Sequence, residues 1–391
     1  MTPPAGPRPH GLLRPAPGDT PIEGEYLVTM RPDAVRGDPE RASVEAAGAL
    51  AGRYGAQVQE TYHRTGVAFL AVMDAGQAAQ MAEDPQVEFV EQNAATPAPE
   101  ELTDERATVT TSPGSWGLDR IDQRHLPLDG AFSPPAVDTS TVTAYVVDSK
   151  VYTGHQEFGG RAEFAAEVSG YPNEYQVCTS HGTHVAGTIA GRTFGVAPTV
   201  RIKSLNIDRA CPSGGAETGA TYAAMKRAAE WIDADAERTG TLAVVNLSYG
   251  TRSATIHDAI RNSVNRNTVW TVSAGNDDED AGNRATAALI VAASDDSDTR
   301  RPSSGWGPDV DLFAPGDRIW SAGIGAPDAT ERKSGTSMAA PHVAGAAVLY
   351  RAQHPEASAQ EVMDAITAQA TPGVVQDPKG SPDRLLYVDP R

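Results

Sequence analysis

Apolar and polar positions change their period twice along this 391-residue chain. Residues 1–20 are proline-rich, hold no sustained apolar run and read as a disordered leader. From Glu23 onward the pattern alternates between strand and helix. A strand is predicted over Glu23–Met30, an alanine-rich helix over Pro39–Tyr54, strands over Gly66–Val72 and Val87–Gln92, and a second helix over Ala75–Ala82. With a further strand inside Ala56–His63, the order over residues 21–93 becomes β-α-β-β-α-β, a small ferredoxin-like α+β domain. Residues 94–115 are rich in Ala, Pro, Thr, Glu and Ser without periodicity, and read as an exposed linker.

Over residues 116–391 short apolar runs alternate with helical patterns, which predicts an α/β domain with a parallel sheet and helices on both faces. The runs are Thr143–Val147, Arg201–Ile207, Ala243–Leu247, Val269–Ser273 and Ala288–Ala293; the helices are His181–Ala190, Ala216–Ala234 and Ser253–Asn265. Such sheets bind ligands beyond the carboxyl ends of their strands. Polar residues gather at those ends: Asp148 follows T-A-Y-V-V, Ser248-Tyr249-Gly250 follows Leu247, and Ala274-Gly275-Asn276 follows Ser273. His181 opens a helix of small residues. Ser337 stands just after Gly335, a residue that permits a sharp turn, and ahead of a helix with almost no polar face until Arg351. A serine there is either a helix cap or a nucleophile, and a nucleophile needs a base and an oxyanion site.

Composition narrows the partners. Acidic residues outnumber basic ones 51 to 32, a formal charge of -19, which argues against nucleic acid or an anionic membrane. No apolar run approaches the roughly eighteen residues of a membrane span. The leader lacks a signal-peptide core, which by itself argues against secretion. Two cysteines, Cys178 and Cys211, fit either a disulfide or two buried thiols.

With Asp148, His181, Asn276 and Ser337 in that order, and the motifs H-G-T-H-V-A-G-T-I-A-G from His181, S-A-G-N from Ser273 and S-G-T-S-M-A-A-P-H-V-A-G from Ser334, the chain resembles the subtilisin-like serine proteases. Within them it is most similar to the proteinase K branch, from Trp116 to Tyr387. The first domain resembles the family's inhibitory propeptide, through E-Y-L-V, G-V-A-F-L and V-E-F-V-E-Q-N. The resemblance implies a serine endopeptidase made as a self-inhibited precursor, with Asp148, His181 and Ser337 catalytic and Asn276 in the oxyanion site. It implies substrate pocket walls at Ser248, Tyr249, Gly250, Ala274 and Gly275, and an edge strand for peptide at Gly214 and Gly215. It further implies structural calcium at Asp119, Asp122, Gln123 and Asp129, a Cys178–Cys211 disulfide, and a monomer acting on peptides or proteins outside the cell, the cytoplasm being the alternative. The precursor is expected to be cut between Asn93 and Ala107, beside Ala94 or near Arg106-Ala107.

One residue departs from the pattern. Lys150 stands where family members carry glycine, so it either strains the backbone or brings its ammonium to Asp148. That departure keeps open a second reading, a protease-derived module that binds, or cuts only itself, and never releases its propeptide.

Overall fold

A computed structural model describes residues 12–16, 18–98, 102–107, 115–171, 177–209, 219–282 and 286–390. The N-terminal unit runs β1 (Leu12–Arg14), β2 (Thr20–Met30), α1 (Pro39–Tyr54), β3 (Gln57–Tyr62), β4 (Ala68–Val72), α2 (Ala75–Ala82) and β5 (Val87–Thr96). Its sheet has the order β1-β5-β2-β4-β3, with antiparallel pairing everywhere except between β1 and β5. Without β1 this is the ferredoxin-like order, and the strand expected inside 56–63 is β3. Local signals fix the helix ends. Asp38 accepts the amide of Arg41 at the start of α1, Gly55 closes that helix at φ 72, and Asp74 and Gln77 form a capping box on α2.

The sheet has two buried faces because its strands alternate on both sides. Tyr26, Val28, Phe69 and Ala71 pack under α1 and α2 with Leu50 and Met81. Leu27, Tyr62, Leu70 and Ala94 point the other way and join the core of the larger unit. Two sequence expectations are corrected here. Leu12–Arg14 and Thr20, expected in a disordered leader, are strand: β5 offers Leu12–Arg14 its free edge, and Thr20 begins β2, which pairs with β5 on the other side. Residues 94–115 are not an unstructured linker throughout: Ala94–Thr96 complete β5, and β6 (Leu102–Ala107) pairs elsewhere.

The larger unit begins with α3 (Trp116–Ile121) and β7 (Val142–Asp148), then β8 (Ala162–Glu167), α4 (His181–Ala190), β9 (Arg201–Asn206), β10 (Ala220–Thr221), α5 (Tyr222–Thr239), β11 (Leu242–Leu247) and α6 (Ala254–Asn265). It continues through β12 (Val269–Ser273), β13 (Leu289–Ser294), β14 (Leu312–Pro315), β15 (Ile319–Ala322), β16 (Thr330–Ser334), α7 (Thr336–Gln353), α8 (Ala359–Gln369), β17 (Thr371–Pro372) and β18 (Arg384–Leu385). Nine strands form one sheet in the order β17-β18-β14-β13-β12-β11-β7-β9-β8, parallel from β18 to β8. The helix expected from Ala216 starts at Tyr222, where Thr221 accepts the amide of Ala224 as its cap. As its sequence requires, α7 is buried from Thr336 to Leu349. Buried Arg351 spends its guanidinium on the carbonyls of Ala243 and Asn267. Separately, β15, β16 and β6 form an antiparallel three-stranded sheet.

Candidate active site

β7 delivers Asp148 at its carboxyl end, and α4 opens with His181. Asp148 Oδ1 lies 2.6 Å from His181 Nδ1, and both side chains are fully buried. A carboxylate only accepts, so Nδ1 carries the proton and Nε2 is left as the basic nitrogen. The same Oδ1 accepts the Ser149 amide at 2.7 Å, a donor that offsets the loss of water around a buried charge. Close approach explains the glycine that follows the histidine. A Cβ at Gly182 would fall 2.1 Å from the Ser149 carbonyl oxygen, and the Gly182 amide donates to the Ser149 hydroxyl at 2.9 Å.

Ser337 enters from β16 through Gly335, whose φ of 152 suits glycine. Its side chain stands in the first turn of α7. The hydroxyl donates to the Ser248 carbonyl at 3.0 Å, while the Ser248 hydroxyl donates back to the Ser337 carbonyl at 3.0 Å. Asn276 is held by its oxygen, which accepts the Thr336 amide at 2.9 Å and the Thr336 hydroxyl at 3.1 Å. That assignment leaves Nδ2 to donate elsewhere. Thr336 Oγ1 in turn accepts the Gly275 amide at 3.2 Å.

Ser337, Asn276, Ser248, Tyr249, Gly250 and Gly275 share one cleft of about 210 Å³ with Ser273, Arg252 and Asp277. The N-terminal unit reaches into it twice, through Thr96-Pro97-Ala98 and through Gly18-Asp19. Thr96 and Ala95 pair antiparallel with Ala220 and Thr221, and a Cβ at Gly219 would fall 2.0 Å from the Thr96 carbonyl oxygen. Four sequence expectations need comment. Ala274 is fully buried, with Gly305 packed on its carbonyl, between Ser273 and Gly275, which line the cleft. Gly214, Gly215 and Cys211 lie outside the described residues. Among the described residues, β10 is the edge that pairs with the tail of β5, and a two-residue Ala-Thr strand could not announce itself in the sequence. Asp208, which accepts the Tyr249 hydroxyl, was also missed, because the two meet only through the fold.

The subtilase family model matches residues 120–384. The chain belongs to the subtilase family. Its relatives include an extracellular serine proteinase of Thermus sp. strain Rt41A, 39% identical over 315 residues, covering 79% of this chain and 72% of that one. An alkaline serine exoprotease A of Vibrio alginolyticus is 33% identical over 381 residues, covering 95% and 68%. The crystal structure of a cold-adapted subtilisin-like serine proteinase superposes with a TM-score of 0.64 at 34% identity, over 71% of this chain and 99% of that one. Fervidolysin from Fervidobacterium pennivorans, at 19% identity, shares the fold over 97% of this chain and 63% of its own, with a TM-score of 0.66. This subtilase is therefore a serine peptidase with the subtilisin-like α/β fold.

Lys150 does neither of the things its position suggested. Its backbone is not among the positive-φ residues, and its ammonium lies over the Phe164 ring, 4.4 Å from the centroid. In the Asp119–Asp129 segment of this subtilase, carboxylates are close enough to repel. Burial, and then the charges of Asp129 and Asp119, push the Asp122 carboxyl up. Yet their oxygens also hold the turn: Asp119 accepts the Asp129 and Gly130 amides at 3.3 and 2.9 Å, and Asp122 accepts Ser133 at 2.8 Å. Gln123 bridges inward, accepting the Asp129 amide and donating to the Pro127 carbonyl. Among the described residues no three of His, Cys, Asp or Glu converge as a metal cluster. The oxygen chemistry fits a hard cation; the present arrangement is a closed turn that must open its oxygens to one.

Proposed function

We propose that Asp148, His181 and Ser337 are the catalytic triad of this subtilase, and that residues 21–93 are an inhibitory propeptide held in its own active site. Ser337 attacks the scissile carbonyl after its hydroxyl turns from the Ser248 carbonyl to His181. His181 takes the proton at Nε2 and returns it to the leaving amine, while Asp148 fixes the tautomer and stabilises the imidazolium. The free amide of Asn276 and the Ser337 N–H receive the oxyanion. Ser248, Tyr249, Gly250 and Gly275 line the substrate cleft, and β10 takes peptide main chain by strand addition. The enzyme is an endopeptidase and a monomer, and it acts outside the cell, in keeping with the name of its Thermus relative, an extracellular serine proteinase.

One observation carries this reading: the tail of β5 already lies as an antiparallel strand on Ala220–Thr221 and continues as Thr96-Pro97-Ala98 beside Ser337. The chain resumes as β6, paired with β16, the strand that leads through Gly335 to Ser337. The cut therefore belongs between Thr96 and Leu102. Ala94 is buried within β5, and Arg106-Ala107 lie in β6, so neither of the positions favoured by sequence is presented as a loop. Lys150, the residue that kept open a module that never releases its propeptide, lies over the Phe164 ring.

Two structural supports accompany it. A Cys178–Cys211 bridge is favoured because no described cysteine is free and the chain has only these two. Calcium at Asp119, Asp122, Gln123 and Asp129 would relieve the repulsion at Asp122. The decisive experiment is Ser337→Ala, made free of other proteases. It should stay in one piece and lose peptide hydrolysis by roughly 10⁴-fold or more. Normal cutting of that variant would overturn the proposal.

A further inference from the structure

The segment ahead of β2 has no role in the reading above, yet it reaches the catalytic cleft. Its first end is fixed where β1 lies parallel on β5, with Leu12, Leu13 and Arg14 opposite Phe89, Val90 and Glu91. The Arg14 guanidinium sits 4.6 Å from the centre of the Phe89 ring. Its second end is fixed where Thr20 and Pro21 pair with Ala95 and Ala94. Between these anchors Ala16 is buried, and Gly18 and Asp19 line the cleft together with Ser337.

Both cleft contacts fall on the catalytic unit. The Asp19 carboxylate accepts the hydroxyl of Tyr222, a fully buried residue that opens α5 directly after the β10 edge strand. Gly18 takes a φ of 81, which glycine adopts without cost, and a Cβ there would lie 3.7 Å from the Arg252 guanidinium. The tail after β5 and this segment thus approach the same cleft from opposite ends of the N-terminal unit.

We infer that Leu12–Ala16 and Gly18–Asp19 act as a second inhibitory strap, latched by Asp19 on Tyr222, which keeps the cleft covered after the chain has been cut behind β5. The inference rests on the reading of the N-terminal unit as an inhibitor. A cut between Thr96 and Leu102 parts the tail from β6 while Ala95 and Thr96 stay paired with β10, and the strap, continuous with β2, stays with the unit. Two linked contacts hold far more tightly than either alone, because loss of one leaves the other at high effective concentration. Cutting and activation are then separate events. Activation follows release of the strap.

The test uses the full chain. After self-cutting, timed by mass spectrometry, the delay before peptide hydrolysis appears is measured in the parent, in a chain lacking residues 1–18, in Asp19→Asn and in Tyr222→Phe. Tyr222→Phe should shorten the delay by about tenfold, the factor for one lost charge-assisted hydrogen bond, and Asp19→Asn by less; the truncated chain, which keeps Asp19 but loses its tether on β5, should shorten it too. Equal delays at equal extents of cutting would overturn the strap. A second measurement does not need peptidase activity: in Ser337→Cys chains, the rate at which a thiol reagent labels position 337 reports access to the cleft. Removing residues 1–18 should raise that rate at least about threefold, and an unchanged rate counts against the strap. Absence of hydrolysis in every chain, even after trypsin has digested the N-terminal unit, would instead sink the peptidase reading and leave the labelling rates to decide the strap.

Discussion

Glu91, on the last strand of the N-terminal unit, accepts the hydroxyl of Ser253 at 2.7 Å, where Ser253 caps a helix of the catalytic unit. Its oxygens also take the amides of Ala254 and Thr255 at 2.8 and 2.9 Å, and the residue is 1% exposed. A carboxylate at the amide end of a helix, out of water, is a strong contact between units. It is reinforced by Glu230 of α5, whose carboxylate accepts the amides of Arg64 and Thr65 at 2.9 and 2.7 Å. Sequence alone ties the two units by a linker; the structure ties them also by two carboxylates, Glu91 at the amide end of α6 and Glu230 of α5 on the turn between β3 and β4.

Glu91→Gln should therefore weaken the hold of the N-terminal unit by about 1.5–3 kcal/mol, since a neutral amide replaces a charged acceptor. The check is the dissociation constant of the cut unit from the phosphonylated enzyme. An unchanged constant would mean that the helix cap adds nothing across the interface.

Asn276→Ala should lower kcat by about 10²–10³ with a much smaller change in KM, because the amide acts on charge that develops in the transition state. Thr336 loses its acceptor in the same variant, so melting has to be followed alongside. A fall in KM-related binding with kcat intact would place Asn276 in substrate binding instead.

What the sequence disclosed and what it hid have a common cause. Asp148, His181, Asn276 and Ser337 could be picked out because each ends an apolar strand or opens a buried helix, and those periods are local. Pro39–Tyr54, Ala75–Ala82 and His181–Ala190 agree with the expected helices to the residue, since caps and small-residue runs mark their ends. The pairing of Ala220–Thr221 with β5 is not local, and neither residue has a strand-like neighbour to reveal it. Leu12–Arg14 fails for the same reason: a three-residue strand among prolines becomes visible only when the edge of β5 is there. Lys150 was read for what its position does in a family, whereas the ring of Phe164, across a loop, decides where its ammonium goes.

Calcium should raise the melting temperature of the parent, because a ligand that binds only the folded state shifts the unfolding equilibrium. Asp122→Ala should abolish that response and leave the protein indifferent to chelator. A parent that melts identically with calcium and with chelator removes the site at Asp119–Asp129.

Asp311 gives the stability a pH dependence of definite sign. Burial pushes its carboxyl up to about 6, and the Ile290 amide at 2.7 Å offsets only part of that cost. The folded state thus holds this proton more tightly than the unfolded chain. Below about pH 4 the group costs nothing; stability is lost as pH rises from about 4 to 6, reaching roughly 2–3 kcal/mol above that range. Asp311→Asn keeps an acceptor for Ile290 and should raise the melting temperature at pH 8, but not near pH 4. A gain of equal size at both values would rule out ionisation as the cause.

Gly182→Ala tests whether the contact behind the histidine sets the geometry of the site. A methyl group 2.1 Å from the Ser149 carbonyl oxygen meets backbone, not a flexible side-chain end, so Ser149 or the first turn of α4 has to move by about an ångström. Asp148 precedes Ser149 and His181 precedes Gly182, so either movement stretches the 2.6 Å contact between carboxylate and imidazole. A misplacement of that size costs about 10²-fold in rate, and the overlap itself about 1–3 kcal/mol in stability. Gly48 provides the control. It lies within α1, and a Cβ there meets nothing within 4 Å, so Gly48→Ala should stabilise by about 0.4–1 kcal/mol without touching kcat. Rates are compared per active site titrated with a phosphonylating reagent. Equal kcat for Gly182→Ala and the parent would show that the loop after Asp148 yields without disturbing His181.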